Sequence, residues 1–187
     1  MINPQPNTST KFKFSTINIC GLSNRSKLVL NKFIEDENLD MLAVQETGSD
    51  IISNLELLNM SVICDTNKSA NKGAALYISN KHSITKLESI SKLSKNLDSC
   101  WGLVVVRNKR LIIGNIYVKL NYKAAIQEVM KMLTAAKQKQ TELKASGIIL
   151  TGDFNARHQS WGDSTNNYYG KNLAESLDHH NHPHSYA

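Results

Sequence analysis

Five polar side chains stand at or near the ends of apolar, strand-like segments. They are Asn18 in TINICG, Glu46 in AVQET, Tyr117 in GNIYV, and Asp153 and Asn155 in TGDFN. Carboxylates and amides are costly at such positions unless they are paired or bind something. A carboxylate can hold a hard cation or accept a proton, whereas amide and phenol groups can stabilise a gathering negative charge. Their shared placement predicts one polar site assembled from several strand ends.

Each of these residues also has a purely structural interpretation. A strand, a glycine turn and an acid that caps the next helix would account for Asp153, and Glu46 could act as a cap in the same way. Asn18 could close a turn with Gly21, and Tyr117 could be a core tyrosine with a satisfied hydroxyl. The joint placement of the two acids after apolar strands favours chemistry over capping.

The segments that position these side chains alternate between strand and helix patterns. Apolar residues at helical spacing predict helices over residues 24–38, after Ser23 as N-cap, and over residues 122–144. A long hairpin is predicted around Asn108-Lys109. The remaining predictions are strands at 11–19, 39–46, 60–65, 73–79, 99–107, 110–118 and 147–153, and a weak helix at 169–177. This order predicts an α/β domain built from mixed sheets.

Composition and charge are those of one globular domain. The chain has 187 residues, 41% of them hydrophobic and 20% charged, so we predict a single domain over residues 11–187 after a flexible arm at 1–10. The net charge of +6 favours a polyanionic partner. No apolar stretch is long enough to span a membrane, no secretory signal is present, and the three cysteines are widely spaced. We therefore expect no membrane partner and an intracellular, reducing compartment.

The motifs resemble a known superfamily when they are taken in order. TINICG, AVQET, NIYV and GDFNARH, followed by WGD and YGKNL, are similar to the endonuclease/exonuclease/phosphatase superfamily over about residues 12–177. The closest likeness is to the apurinic-endonuclease-like domain of non-LTR retrotransposons of the LINE or jockey type. The resemblance implies a four-layer α/β sandwich, with two packed mixed sheets flanked by helices.

The resemblance also implies a role for each polar residue. Glu46 resembles the ligand of Mg²⁺ (or Mn²⁺), and Asp153 resembles the acid that activates or orients the attacking water. Asn155 and Asn18 correspond to the amides that fix this acid and the scissile phosphate, and Tyr117 to the phenol that bonds the phosphate. The implied activity is Mg²⁺-dependent phosphodiester hydrolysis, by which a DNA endonuclease nicks its target and leaves a 3′-hydroxyl.

Further implications concern the partners of the chain. His158 and Trp161 are expected to line a DNA groove, although plain packing is the alternative for Trp161, and Lys72 is expected to be only solvated. DNA is the expected partner, with a reverse transcriptase domain in a longer parent polypeptide and a nuclear location. The alternatives are a non-catalytic DNA-binding remnant, or a phosphatase of the same superfamily acting on phosphoinositides or a sphingolipid.

Two departures from the superfamily pattern are visible. Cys20 stands where many relatives of the apurinic type have a second acid near the metal. The late strand that should carry an Asp-His pair does not follow YGKNL. Asp178-His179 is a poor substitute, because the chain between GDFN and Asp178 has no room for the strands that the superfamily has there. We therefore expect a C-terminally truncated domain with its last strands missing, little or no nicking, and an exposed sheet edge.

Overall fold

Two four-stranded sheets form the centre of the molecule. The computed structural model describes residues 11–48, 54–64 and 73–181, except for the side chains of 179–181. The predicted arm at residues 1–10 and the loop position Lys72 lie outside the described residues, as does the side chain of His179.

The first sheet has the strand order β1–β2–β4–β3. Its strands are β1 (Phe14–Asn18), β2 (Met41–Gln45), β3 (Met60–Cys64) and β4 (Ala74–Ser79). The parallel strands β1 and β2 are joined by α1 (Asn24–Glu37), whereas β4 runs antiparallel to both β2 and β3. The crossover through α1 makes β1 and β2 end at the same side of the sheet.

The second sheet has the strand order β5–β6–β7–β8. Its strands are β5 (Ser83–Lys86), β6 (Asp98–Val106), β7 (Lys109–Tyr117) and β8 (Gly147–Asp153). The short helix α2 (Glu88–Ser91) precedes β6, and α3 (Ala125–Glu142) joins the parallel strands β7 and β8. A 3-10 turn (Gln159–Trp161) and α4 (Tyr168–Asn181) follow β8.

Three apolar clusters divide the domain into four layers. Leu30 of α1 is buried against the outer face of the first sheet. Leu76 and Ile113 are buried between the two sheets. Val129 of α3 and Leu173 of α4 are buried in the third cluster, on the outer face of the second sheet. The four-layer α/β sandwich predicted from the sequence is therefore confirmed.

Local sequence signals explain why α1 forms where it does. The Ser23 hydroxyl accepts from the Ser26 backbone N–H at 3.1 Å, and the Ser26 hydroxyl accepts from the Ser23 backbone N–H at 3.0 Å. This reciprocal pair satisfies backbone donors that a helix start leaves unpaired. The helix ends at Asn38, whose φ of 50° is left-handed, a conformation that asparagine tolerates better than most residues.

Several predicted elements differ from those observed. The hairpin turn consists of Arg107 and Asn108, both with positive φ, and not of Asn108-Lys109, because β7 already begins at Lys109. The weak helix predicted at 169–177 extends over the whole of α4. β5, α2 and the 3-10 turn were not predicted. No helix in the described ranges is long and apolar enough to cross a membrane.

Each sheet has two edge strands among the described residues, and two of these edges, β1 of the first sheet and β8 of the second, lie on the same side of the sandwich. β1 pairs only with β2, and β8 pairs only with β7, within the part of the chain that the structure describes. Phe14 is 49% exposed and Ile17 is 36% exposed, and the apolar residues of β8 are half-buried. These two edges are where the sheets can accept further strands.

Candidate active site

The strand ends that were predicted to carry chemistry meet at one end of the sandwich. Asn18 ends β1 and pairs with Gln45, the last residue of β2, so that Glu46 follows directly. Tyr117 and Asp153 are the paired last residues of β7 and β8. Because the two sheets stack face to face, their polar ends face the same cleft.

The side-chain amide of Asn18 joins the two sheets. Its Nδ2 donates to Oε1 of Glu46 at 3.0 Å and to Oδ2 of Asp153 at 2.9 Å. All three side chains are half-buried, and hydrogen bonds to ionised oxygens are stronger than neutral ones. Two carboxylates, one at the end of each sheet, therefore accept hydrogen bonds from the same amide nitrogen.

The second oxygen of Asp153 is fixed by the chain that follows it. Its Oδ1 accepts from the backbone N–H of Asn155 at 2.9 Å. The side-chain amide of Asn155 donates instead to the backbone carbonyl of Val118 at 2.8 Å. Asn155 therefore orients Asp153 through its backbone, and its side chain ties the loop after β8 to the end of β7.

Unusual backbone conformations surround these residues. Cys20, Glu46 and Asn155 have φ values of 48°, 53° and 48°, which are costly for residues other than glycine and asparagine. Gly152, with φ of 141°, lies so close to β7 that a Cβ would stand 1.9 Å from the Ile116 carbonyl oxygen. The strand ends that deliver Glu46 and Asp153 therefore both contain backbone in the left-handed region.

A buried polar pair lies beneath the site. Gln45 is 1% exposed and Asn115 is fully buried, and Gln45 Nε2 donates to Asn115 Oδ1 at 2.6 Å. Asn115 Nδ2 donates to the carbonyls of Val44 and Ala75, both at 2.9 Å, and so links the second sheet to the first. We did not predict this pair, although an amide inside the apolar run IIGNIY is a signal that it must be satisfied.

Tyr117 lies beside the carboxylates but is only 3% exposed. Its cross-strand partner on β6 is Asp98, which is also 3% exposed. The Oδ2 atom of Asp98 lies 3.5 Å from Nζ of Lys119. Sequence reasoning missed Asp98 and Lys119, since neither belongs to a quoted motif. A phosphate-binding role for Tyr117 stays a prediction.

The two residues predicted to line a DNA groove lie on the loop after β8. His158 caps the 3-10 turn, with Nδ1 2.7 Å from Ser160 Oγ, and its ring centroid is 5.4 Å from that of Trp161. Trp161 is 47% exposed and lines a cavity of about 920 Å³ together with Asp153 and Asn155. An exposed indole at the cavity wall is available to a ligand, which plain packing would not require.

The carboxylate of Glu128 on α3 binds the loop between β7 and α3. Glu128 accepts hydrogen bonds from the hydroxyls of Tyr122 and Ser94. The hydrogen bond to Glu128 raises the pKa of the Tyr122 phenol above its ordinary value. Lys119, which lies in this loop, is thereby held near the cleft.

The comparisons with known proteins agree with this geometry. Residues 111–184 match a family model described as endonuclease-reverse transcriptase. An endonuclease/exonuclease/phosphatase family protein from Bacteroides thetaiotaomicron superposes with a TM-score of 0.56 at 15% identity, over 80% of this chain and 64% of that chain. The chain has the endonuclease/exonuclease/phosphatase fold. The superfamily resemblance predicted from the sequence is confirmed.

Solved structures with this fold include both nucleases and phosphatases. The endonuclease domain of TRAS1, a telomere-specific non-LTR retrotransposon, has a TM-score of 0.69 at 13% identity, over 90% of this chain and 70% of that one. The mannosyl-6-phosphatase Bt3783 of Bacteroides thetaiotaomicron has a TM-score of 0.58 at 14% identity, over 88% of this chain and 70% of that one. No curated protein matches the chain. Identities this low establish the fold and leave the substrate open.

The donor set within this endonuclease/exonuclease/phosphatase fold is compatible with one hard cation. The described residues contain no cluster of three or more His, Cys, Asp or Glu side chains that could enclose a metal ion. Mg²⁺, however, keeps several waters and uses one or two protein carboxylates. Glu46 could supply such a carboxylate, and it approaches the same nitrogen of Asn18 as Asp153 does. Cys20 lies beside the site, with its Sγ 3.8 Å from Asn18 Oδ1. Because its side chain is a thiol and not a carboxylate, this position contributes no second acid.

Proposed function

We propose that the chain is the DNA-nicking endonuclease domain of a non-LTR retrotransposon and hydrolyses phosphodiesters with Mg²⁺. The observation that carries the proposal is the Asn18 amide held between the Glu46 and Asp153 carboxylates. Two carboxylates at this spacing allow one to hold a cation while the other accepts a proton. The endonuclease/exonuclease/phosphatase fold supports a hydrolytic enzyme.

Each residue has a stated part in this reaction. Asp153, fixed by Asn18 and Asn155, accepts a proton from the water whose oxygen attacks phosphorus. The bond from phosphorus to O3′ breaks, and that oxygen takes a proton from solvent water and leaves as a 3′-hydroxyl, with the phosphate on the 5′ side. Glu46 would hold Mg²⁺, which supplies charge stabilisation to the phosphoryl oxygens and the leaving oxygen when bound. Tyr117 would donate to the phosphate if its buried hydroxyl becomes accessible in the complex.

Charge around the cleft supports a polyanionic substrate. Cationic residues occupy the loops and first helical turns at this end of the sandwich: Arg25, Lys27, Lys95, Lys119, Lys123, Arg157 and Lys171. Among the described acids nearby, Asp98 is paired with Lys119, Glu128 accepts bonds from Ser94 and Tyr122, and Asp163 lines the cavity with Asp153. A nucleic-acid backbone that neutralises such residues releases counterions and gains affinity, whereas a monophosphate can reach few of them.

The substrate class is tested by comparing three reactions of the same preparation. Supercoiled plasmid is incubated with excess protein, with Mg²⁺ or with EDTA, so that even slow nicking is detected. Phosphate release from mannose 6-phosphate and from inositol phosphates is measured in parallel, together with plasmid binding over a range of salt concentrations. Metal-dependent nicking without phosphate release supports the proposal. Phosphate release alone would favour the phosphatase, and salt-dependent binding without any nicking would favour a DNA-binding remnant.

We further propose that the domain works in the nucleus beside a reverse transcriptase in a longer polypeptide. The match of residues 111–184 to a family described as endonuclease-reverse transcriptase supports this association. The nucleotide sequence downstream of codon 187 tests it directly. An open frame that encodes an Asp-His strand and then a reverse transcriptase is the expected result, and an immediate stop codon in the native gene would contradict it.

A further inference from the structure

Asn167 connects helix α4 to the loop that carries Asn155. Its Oδ1 accepts from the backbone N–H groups of Arg157 at 3.0 Å and Gly170 at 2.8 Å. Its Nδ2 donates to the backbone carbonyl of Asn155 at 2.7 Å, and its own backbone N–H donates to the Arg157 carbonyl at 3.0 Å. One half-buried side chain thus fixes both the start of α4 and the loop after β8.

The start of α4 packs directly on this loop. A Cβ at Gly170 would stand 1.9 Å from the carbonyl oxygen of Arg157, so only glycine allows the contact without a backbone shift. Leu173, one turn further along α4, is buried in the core. The helix therefore offers a rigid support from which Asn167 can hold the loop.

We propose that Asn167 is a positioning residue that places the proton acceptor Asp153 through Asn155. The connection has two steps: Asn167 Nδ2 donates to the Asn155 carbonyl, and the Asn155 backbone N–H donates to Asp153 Oδ1 at 2.9 Å. The carbonyl and the N–H lie on either side of the Asn155 Cα, so a shift of the Asn155 backbone moves the donor that orients the carboxylate. The catalytic consequence rests on the proposed function of Asp153, whereas the effect on the loop does not.

Helix capping alone does not explain asparagine at this position. A cap needs an acceptor for the backbone N–H groups of the first turn, and serine or aspartate provides one as well. Only the amide also donates to Asn155, twelve residues earlier in the chain. The two functions can therefore be separated by substitution.

The experiment uses the full chain with Asn167→Asp and Asn167→Ser. Aspartate keeps a capping acceptor and has no donor for the Asn155 carbonyl, whereas serine keeps an acceptor and replaces the amide donor by a shorter hydroxyl. Because both keep the cap, melting temperatures should stay close to that of the wild type. We expect the single-turnover nicking rate to fall about 10- to 100-fold, because small displacements of reacting groups have effects of that size. Plasmid affinity should not change. Hydrogen exchange at the backbone amides of residues 155–157 should become faster.

Asn31→Asp provides a matched control. Asn31 Oδ1 accepts from the Leu58 backbone N–H at 2.9 Å, near the start of β3 and at the end of the first sheet away from the cleft. The substitution keeps the acceptor and touches no site residue. The nicking rate of this variant, and its hydrogen exchange at residues 155–157, should equal those of the wild type.

Three results would overturn the proposal. Wild-type nicking and exchange in both Asn167 variants would show that the donated bond positions nothing. Weaker plasmid binding with an unchanged rate at saturation would make Asn167 a substrate contact. Global destabilisation of both variants, with the rate loss reversed at lower temperature, would make it only a cap. If the wild type nicks too slowly to measure, as expected if the domain is truncated, the rates are measured in a parent polypeptide that supplies the last strands. No nicking by that parent would refute the proposed function, while the exchange measurement still decides whether Asn167 holds the loop.

Discussion

Replacing Asn18 should disturb both the stability and the chemistry of the cleft. In Asn18→Asp a carboxylate replaces the amide that lies 3.0 Å from Glu46 Oε1 and 2.9 Å from Asp153 Oδ2. Two unit charges 3 Å apart repel by roughly 5 kcal/mol at an effective dielectric constant of 20. The groups are half-buried and can separate or take up a proton, so only part of this repulsion will appear in the free energy of unfolding.

Asn18→Ala is the milder change, since it removes two donated bonds without adding charge. Hydrogen bonds to charged groups contribute about 1.5–3 kcal/mol each, and water can replace part of this at a half-exposed site. We expect a loss of about 1–3 kcal/mol, which lowers the melting temperature by about 2–4 °C for each kcal/mol in a chain of this size. The single-turnover nicking rate should fall about 10²- to 10³-fold.

Thermal melts of the wild type and both variants, with Mg²⁺ or with EDTA, provide the assay. In EDTA the aspartate variant should melt well below the alanine variant. Added Mg²⁺ should raise the melting temperature of Asn18→Asp more than that of the wild type, because the cation offsets the repulsion among three neighbouring carboxylates. Equal melting of the aspartate variant and the wild type in EDTA would refute the convergence of Glu46 and Asp153 on Asn18.

Three further predictions concern the metal ligand, the backbone and the sheet edge. Glu46→Ala should nick slowly and be partly restored by more Mg²⁺, as it removes a ligand and not the proton acceptor; a titration that shows no restoration contradicts this. Gly152→Ala should cost about 3 kcal/mol or more in chemical denaturation, since its Cβ would stand 1.9 Å from a backbone oxygen of β7; a loss under about 1 kcal/mol would show that β8 can shift freely. Unpaired edges should cause concentration-dependent self-association, reduced by Ile17→Lys, in sedimentation velocity; a monomer at every concentration, with a cooperative melt at high temperature, would count against it.

Local signals made much of the fold predictable. Ser23 and Asn38 mark the two ends of α1, and apolar spacing marks α3, because capping and periodicity are properties of short segments. β5 and α2 were missed for the opposite reason. β5 has four residues that form a strand by pairing with β6, and α2 has no side-chain cap at Leu87. Their structure depends on contacts with the rest of the domain.

As with the fold, only the part of the site that depends on local sequence could be predicted. Asn18, Glu46 and Asp153 each follow an apolar strand, so their convergence could be predicted from strand ends and from the superfamily resemblance. The bond between Gln45 and Asn115 could not be predicted, because it depends on how the two sheets stack. The direction of the Asn155 side chain, towards the Val118 carbonyl, depends on a left-handed backbone conformation that the sequence does not specify.

The central claim is that Asp153 accepts the proton of the attacking water, and the single-turnover nicking rate of Asp153→Asn tests it most directly. The amide keeps the size of the side chain but cannot take the proton, so with Mg²⁺ the rate should fall by about 10²- to 10⁴-fold. The melting temperature should fall slightly, because one of the two donors that face Asp153 would then meet an NH₂ group. Asp178→Asn, an exposed acid on α4, serves as the matched control and should nick at the wild-type rate. A wild-type rate for Asp153→Asn, or a loss of rate only in Asp178→Asn, would contradict the account.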